Sequence, residues 1–250
     1  MTEQKKFPKL KQAQAGKKSS RKLLVILLTF FVALLVILFF KSTITEINEI
    51  QISGNEYVTD LQIGQASQIN VGDHFFSVSS NTLERRLKQI KSIKSVKVSK
   101  KFPGELSIQI HEYKAVAMQI STEGLKTVLL ANGTKIPLNG KGALVNKPIL
   151  TGWTDENTWT IELCKVLGEI PADMLADISE IKPDPTAVYP DKMKMYTRSQ
   201  FEVTTTIGYL PEKIEYMRAI IAEEEPGFLT MLEANYRAPY EKDAPAEIIE

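Results

Sequence analysis

LLVILLTFFVALLVILFF, residues 23–40, is an apolar run in which Thr29 is the one polar side chain and no charge occurs. As an α-helix its eighteen residues would rise about 27 Å, against the ~30 Å hydrocarbon core of a bilayer. The run predicts a transmembrane helix. No second run of this kind follows, so the expectation is one membrane anchor. Residues 1–22 carry eight basic side chains against the single acid Glu3, a net +7, whereas the whole chain is only +1. A bias this steep keeps the N-terminus in the cytoplasm and sends the rest outside. A cleavable signal peptide has an apolar region of about 7–15 residues and a small-x-small cleavage site. Here the run is longer and ends in Phe39-Phe40-Lys41. Beside a membrane span, the basic leader is read as a topology and anionic-lipid element, not a nucleic-acid site.

Working outward, the remaining chain is long enough for one large or two small domains. With 43% apolar and 24% charged residues its composition is that of a globular fold. The single cysteine, Cys164, excludes an internal disulfide and any multi-cysteine metal site. His74 and His111 are too few for a histidine-rich centre. No Gly-rich phosphate loop, GxSxG or HExxH occurs, so no catalytic, cofactor or metal residues are assigned.

From residue 45 to 114 the pattern is β-α-α-β-β. Ile50 and Ile52 alternate as in a half-buried strand. Thr59 opens a helix with Gln62 placed to complete a capping box, and Leu61, Ile63 and Ala66 are its apolar side. A second helix starts near Asn81, with Glu84 able to reach back to the cap, and Leu83, Leu87 and Ile90 share a face. Ile93, Val96 and Val98 belong to the next strand. Phe102-Pro103-Gly104 breaks it, and Leu106, Ile108 and Ile110 alternate in the third. A three-stranded sheet with two helices on one face is expected. His111, at a strand end, is read as a surface residue.

The segment 115–240 reads as mostly β with two helices. Val116, Met118 and Ile120 alternate, and Asn132-Gly133 joins strands 126–131 and 134–138 as a hairpin. Residues 148–153 are expected to be a connector. Trp159, Leu163, Val166, Leu167 and Ile170 fall on one helical stripe, with Cys164 as packing. Asp173, Asp177 and Glu180 look like a strand-flanking polar face. Met193 and Met195 alternate, Arg198-Ser199-Gln200 turns, and Phe201, Val203, Thr205 and Ile207 alternate back. Pro211 starts a helix whose apolar face is Ile214, Met217 and Ile221. The run Glu223-Glu224-Glu225 is expected to be solvated. Leu229 to Arg237 reads as one last strand, with Leu229, Met231, Glu233, Asn235 and Arg237 on one face and Thr230, Leu232, Ala234 and Tyr236 on the other. Core packing alone would explain one of those faces. Residues 241–250 are expected to be a short acidic tail.

These pieces resemble the DivIB/FtsQ family of bacterial cell-division proteins, specifically its Gram-positive DivIB type. Residues 49–117 carry the most specific part: EIQISGNEYVT, INVGDHFFSV and LKQIKSIKSVKVSKKFPGELSIQIHEYKAVA are similar to that family's POTRA domain. IGYLPEKIEYMRAI and EPGFLTMLEANYRAPYE resemble the end of its β domain, with Thr230 where relatives often carry Asp. The resemblance implies an α+β protein organised as a basic cytoplasmic leader (1–22), a transmembrane helix (23–40), a POTRA domain (45–114), an extracytoplasmic β domain (115–240) and the tail (241–250). It implies a non-enzymatic bitopic scaffold at the division septum that binds small bitopic proteins of the DivIC/FtsB and FtsL type. The implied partner surface is the closing strand with the residues just after it. There Tyr236, Arg237, Pro239 and Tyr240 are the candidate contacts, aromatic and Arg anchors being favoured hot-spot types.

Two other classes compete. A membrane-anchored cell-wall enzyme would need paired acids or a Cys/Ser–His arrangement in a cleft. A POTRA-bearing secretion component would need several such units or a barrel-like strand series. The charge asymmetry yields a direct test. Protease added to intact protoplasts is expected to degrade residues 41–250 and spare the +7 leader; protection of the large region would reverse the topology.

Overall fold

The computed structural model describes residues 19–121, 124–138, 146–154 and 157–240. Most of the leader and all of the acidic tail lie outside the described residues. Helix α1 (Ser19–Phe40) contains the one described segment long and apolar enough to cross a membrane, Arg21–Phe40, and none of the side chains of that segment is buried in the protein. A helix packed on its own protein would hide a stripe, whereas residues 21–40 present their apolar side chains all round, the pattern of a candidate membrane span.

The first globular unit follows the expected order: β1 (Glu49–Ser53), α2 (Asp60–Ser67), α3 (Ser80–Leu87), β2 (Ile93–Lys101) and β3 (Glu105–Glu112). Strand β3 is central, parallel to β1 and antiparallel to β2. Its Leu106, Ile108 and Ile110 are fully buried and meet Ile63 of α2 and Leu83 and Leu87 of α3 in one core. Thr59 and Gln62 form the capping box at α2. Two expectations are corrected. Leu61 is exposed, because Ile63 and Ala66 already supply the inward face of this short helix. At α3 the N-cap is Ser79, with no side-chain cap bond; Glu84 instead accepts from the Val98 amide of β2 at 3.0 Å. A sheet donor outcompetes the local cap there.

The second unit is a nine-stranded sheet among the described residues, in the order β12-β11-β10-β9-β8-β7-β4-β5-β6. Its elements are β4 (Ala115–Ile120), β5 (Lys126–Leu130), β6 (Lys135–Pro137), β7 (Ile149–Leu150), α4 (Thr160–Glu169), α5 (Ala172–Asp177), β8 (Ile178–Pro183), β9 (Lys192–Thr197), β10 (Glu202–Thr206), α6 (Leu210–Glu223), β11 (Gly227–Met231) and β12 (Asn235–Pro239). The Asn132-Gly133 hairpin and the Pro211 helix start are present. Residues 148–153 are more than a connector. They contain β7, parallel to both β4 and β8 in mid-sheet. Two residues show no readable alternation, so only the tertiary pairing identifies the strand. Asp173 and Asp177 sit on α5, a helix of six residues that is too short for a 3.6-residue period to be visible.

Helices α4, α5 and α6 share one core with the sheet, built on Leu163, Leu167, Leu175, Met195, Val203 and Met217. Strand β4 buries both faces rather than one. Val116 and Ala117 enter that core, while Ala115 joins Val128 and Leu130 under Tyr57 and Tyr113, at the junction with the first unit. The junction is polar as well. Asn132 Nδ2 of the second unit donates to the Lys91 carbonyl of the first at 2.8 Å, and within the first unit the Glu112 carboxylate at the end of β3 accepts from the amides of Glu56, Tyr57 and Val58 at 2.9–3.2 Å.

Two outcomes are expected from this packing. Leu87→Ala, at a fully buried site, should cost the first unit about 2–5 kcal/mol in a denaturant titration, leaving the second unit's own transition in place. A single merged transition would show that the two units fold together. Cys164 is fully buried and burial pushes its thiol up to about 12. A maleimide at pH 8 should therefore label it only after denaturation; rapid native labelling would contradict its placement.

Candidate partner-binding edge

The C-terminal third is a β10-α6-β11-β12 unit. Strands β10 and β11 are parallel, so α6 must cross between them. It lays Leu210, Ile214 and Met217 on the core. Strand β12 then returns antiparallel to β11, pairing Leu229 with Arg237 and Thr230 with Tyr236.

This corrects the expectation of one strand over 229–237. The chain breaks at Leu232-Glu233-Ala234 into a hairpin, with neither Gly nor Pro to announce it. A tertiary contact stabilises the turn. Lys213 Nζ, from the first turns of α6, donates to the Leu232 carbonyl, to Asn235 Oδ1 at 2.8 Å and to the Glu233 carbonyl at 3.4 Å. One ammonium supplies three donors, which suits a cluster of turn oxygens. Asn235, a turn-favouring residue, was the only local sign of the break. Gly227 is required by close approach: a Cβ there would stand 2.4 Å from the Ala238 carbonyl oxygen.

The break leaves the predicted faces of the paired residues unchanged. Directly paired residues share a face, so Arg237 lies with buried Leu229, on the side of α6. Its guanidinium reaches Glu224 Oε2 at 3.2 Å and the Glu225 carbonyl at 2.7 Å. Part of the expected solvated acid run is thus a clamp for β12. Tyr236 is on the opposite face with Phe228 and Tyr240. Tyr236 is 65% exposed. The Tyr240 ring meets Phe228 edge-on at 4.8 Å, and its hydroxyl donates to the Gln200 carbonyl at 2.9 Å, at the β9–β10 turn. Desolvation, with the Glu202 charge second, raises the Tyr240 phenol above its ordinary value, so it stays a donor. Pro239 ends β12 opposite Gly227. Of the four residues singled out from the sequence, Tyr236 and Tyr240 therefore share an aromatic stripe with Phe228, Arg237 points to the other side, and Pro239 closes the strand. Phe228 and Lys213 were missed, because the expected strand began at Leu229 rather than Gly227 and, without a hairpin, gave Lys213 nothing to bind.

Among the described residues β12 has one neighbour, β11, and its other side is open. An open edge carries unpaired N–H and C=O groups and can accept a further strand.

Comparison with known proteins identifies the first unit and the family. Residues 45–113 match the family model of the FtsQ-type POTRA domain. A protein named Cell division protein DivIB from Paenibacillus polymyxa (strain E681) is 43% identical over 241 residues, covering 96% of this chain and 95% of that one. Proteins of the same name from Brevibacillus brevis (strain 47) and Bacillus subtilis (strain 168) are 30% and 28% identical, covering 95% and 97% of this chain and 91% and 92% of theirs. The solved major extracytoplasmic domain of the cell-division protein DivIB from Geobacillus stearothermophilus is 31% identical, covers 44% of this chain and 92% of that one, and superposes with a TM-score of 0.38. On sequence identity over nearly its whole length, the chain belongs to the DivIB family of bacterial cell-division proteins.

Proposed function

We propose that this DivIB chain is a non-enzymatic, single-pass scaffold of the division machinery. In this reading residues 1–22 are cytoplasmic, 23–40 span the membrane, and a POTRA domain (45–114) and a β domain (115–240) stand outside the cell at the septum, followed by the tail 241–250. The scaffold binds and stabilises small bitopic proteins of the DivIC/FtsB and FtsL type. The observation that carries this is the open edge of β12, flanked by Phe228, Tyr236 and Tyr240 on one face. Main-chain pairing along such an edge gives affinity, and side chains on alternate positions give selectivity. Arg237 acts here as a brace that ties β12 to the end of α6 rather than as a direct contact. The charge asymmetry around α1 supports the outward orientation.

The test separates contact from folding. Tyr236→Ala should leave melting within about 0.5 kcal/mol of wild type, as exposed surface changes do. It should weaken binding to a DivIC-type partner by about 30-fold or more, the effect of a hot spot worth 2 kcal/mol. Tyr236→Ala with Tyr240→Ala should abolish measurable capture while the chain still melts cooperatively. Arg237→Ala should lower the melting temperature first. Full-strength binding by the folded double variant would move the site away from β12.

A further inference from the structure

The chain leaving α1 does not swing free. Thr45 is fully buried, and its hydroxyl donates to the Ser42 and Phe40 carbonyls at 2.8 and 3.2 Å. Residues just past the helix are then tied to the loop 72–75 by three backbone bonds of 2.8 Å: Phe75 to Thr45, Ile47 to Asp73, and Gly72 to Ile47. That loop ends in Phe75-Phe76. Phe75 points inward and is capped by Lys100, whose ammonium lies 4.4 Å from its ring centre and donates to the Phe75 and Val78 carbonyls. Phe76 points outward. Its ring centre is 6.3 Å from that of Phe39 and 5.9 Å from that of Phe40, the last two residues of α1, and 6.0 Å from Phe102 in the β2–β3 turn. Phe76 and Phe102 are 52% and 49% exposed.

We infer that Phe76 and Phe102 form a foot by which the POTRA domain rests in the interfacial layer of the phospholipid bilayer. The inference rests on reading α1 as a membrane span. The depth argument is geometric. The layer between hydrocarbon and water is roughly 5–8 Å thick on each side. A ring held 5.9 Å from that of the residue that closes the span is within one layer thickness of the span's end. Two large apolar rings left half uncovered at turn tips gain from that location, as membrane-interface aromatics do. Lys41, next to Phe40 in sequence, is exposed, and its long stem allows the ammonium to reach lipid phosphates; Lys101, next to Phe102, is exposed too and pairs with Glu105 at 3.3 Å. A foot of this kind would set the height and tilt of the domain and so aim the distant β12 edge.

The test uses the full chain in phosphatidylethanolamine–phosphatidylglycerol vesicles, with an environment-sensitive NBD label on Phe76→Cys. A second variant, Phe102→Cys, covers a failure of the first to fold. Val188→Cys, strongly exposed in the β8–β9 connection, is the aqueous reference. Buried Cys164 should take no label in the native protein. The expected result is quenching of the label at 76 or 102 by headgroup-level lipid nitroxides, with loss of iodide quenching, and the converse at 188. Iodide quenching at 76 and 102 equal to that at 188, in chains that float with the vesicles, would overturn the foot while leaving the span intact. It would also point to a partner protein as the natural cover. Shielding from both quenchers would overturn it in favour of contact with a second copy of the chain. Failure to float with the vesicles would overturn the span reading and the foot together.

Discussion

Parallel strand pairing is the constraint on which the rest of this structure depends. Parallel neighbours cannot be joined by a tight hairpin, so each such pair forces a crossover, and the crossover has to bury whatever apolar face it carries. Between β1 and β3 the crossing segment includes α2 and α3; between β4 and β7 it includes the strands β5 and β6; between β7 and β8 it includes α4 and α5; between β10 and β11 it is α6. The two cores are the result. In each, the residues of these crossing helices meet the strands they connect.

The same constraint shapes the C-terminal edge. Because α6 must cross, its first turns bring Lys213 to the oxygens of residues 232, 233 and 235, and its far end brings Glu224 to Arg237. One helix thus bends the chain from β11 into β12 and braces the strand that results. The core side of β12 is committed to that brace. The opposite face keeps Phe228, Tyr236 and Tyr240, and the outer edge keeps its main-chain groups. In the proposed reading, structure lies on one side and recognition on the other, a division set by where α6 enters and leaves.

At the other end, the path from α1 into β1 is short and hydrogen-bonded. The junction between the sheets is shorter still: Tyr113 and Lys114 alone separate β3 from β4. Glu112, the last residue of β3, receives three successive amides from the loop before α2, and Tyr57 and Tyr113 pack under the β5–β6 hairpin. A carboxylate accepting backbone amides makes stronger bonds than neutral acceptors do. These bonds hold residues 56–58 against the end of β3, where Tyr57 and Tyr113 meet the second unit.

How much of this was legible depends on the range over which each signal acts. The apolar run of α1, the capping box Thr59–Gln62, the alternation of Leu106, Ile108 and Ile110, the Asn132-Gly133 turn and the Pro211 helix start are set by neighbours in sequence, and each could be read there. The motifs around residues 49–117 and 207–241 carried the family as well. Tertiary structure alone decided the rest. β7 is two residues long and exists because β4 and β8 flank it. Glu84 leaves its own helix for the Val98 amide, which becomes available only when β2 packs beside α3. The strand expected over 229–237 splits because an ammonium from α6, some twenty positions away, collects the oxygens of its middle. Arg237 stays on the core side with Leu229, as alternation predicted, and the aromatic rings lie on the other. Local sequence sets periodicity and turn chemistry, whereas the partners of a charge or a carbonyl are chosen only when distant segments meet.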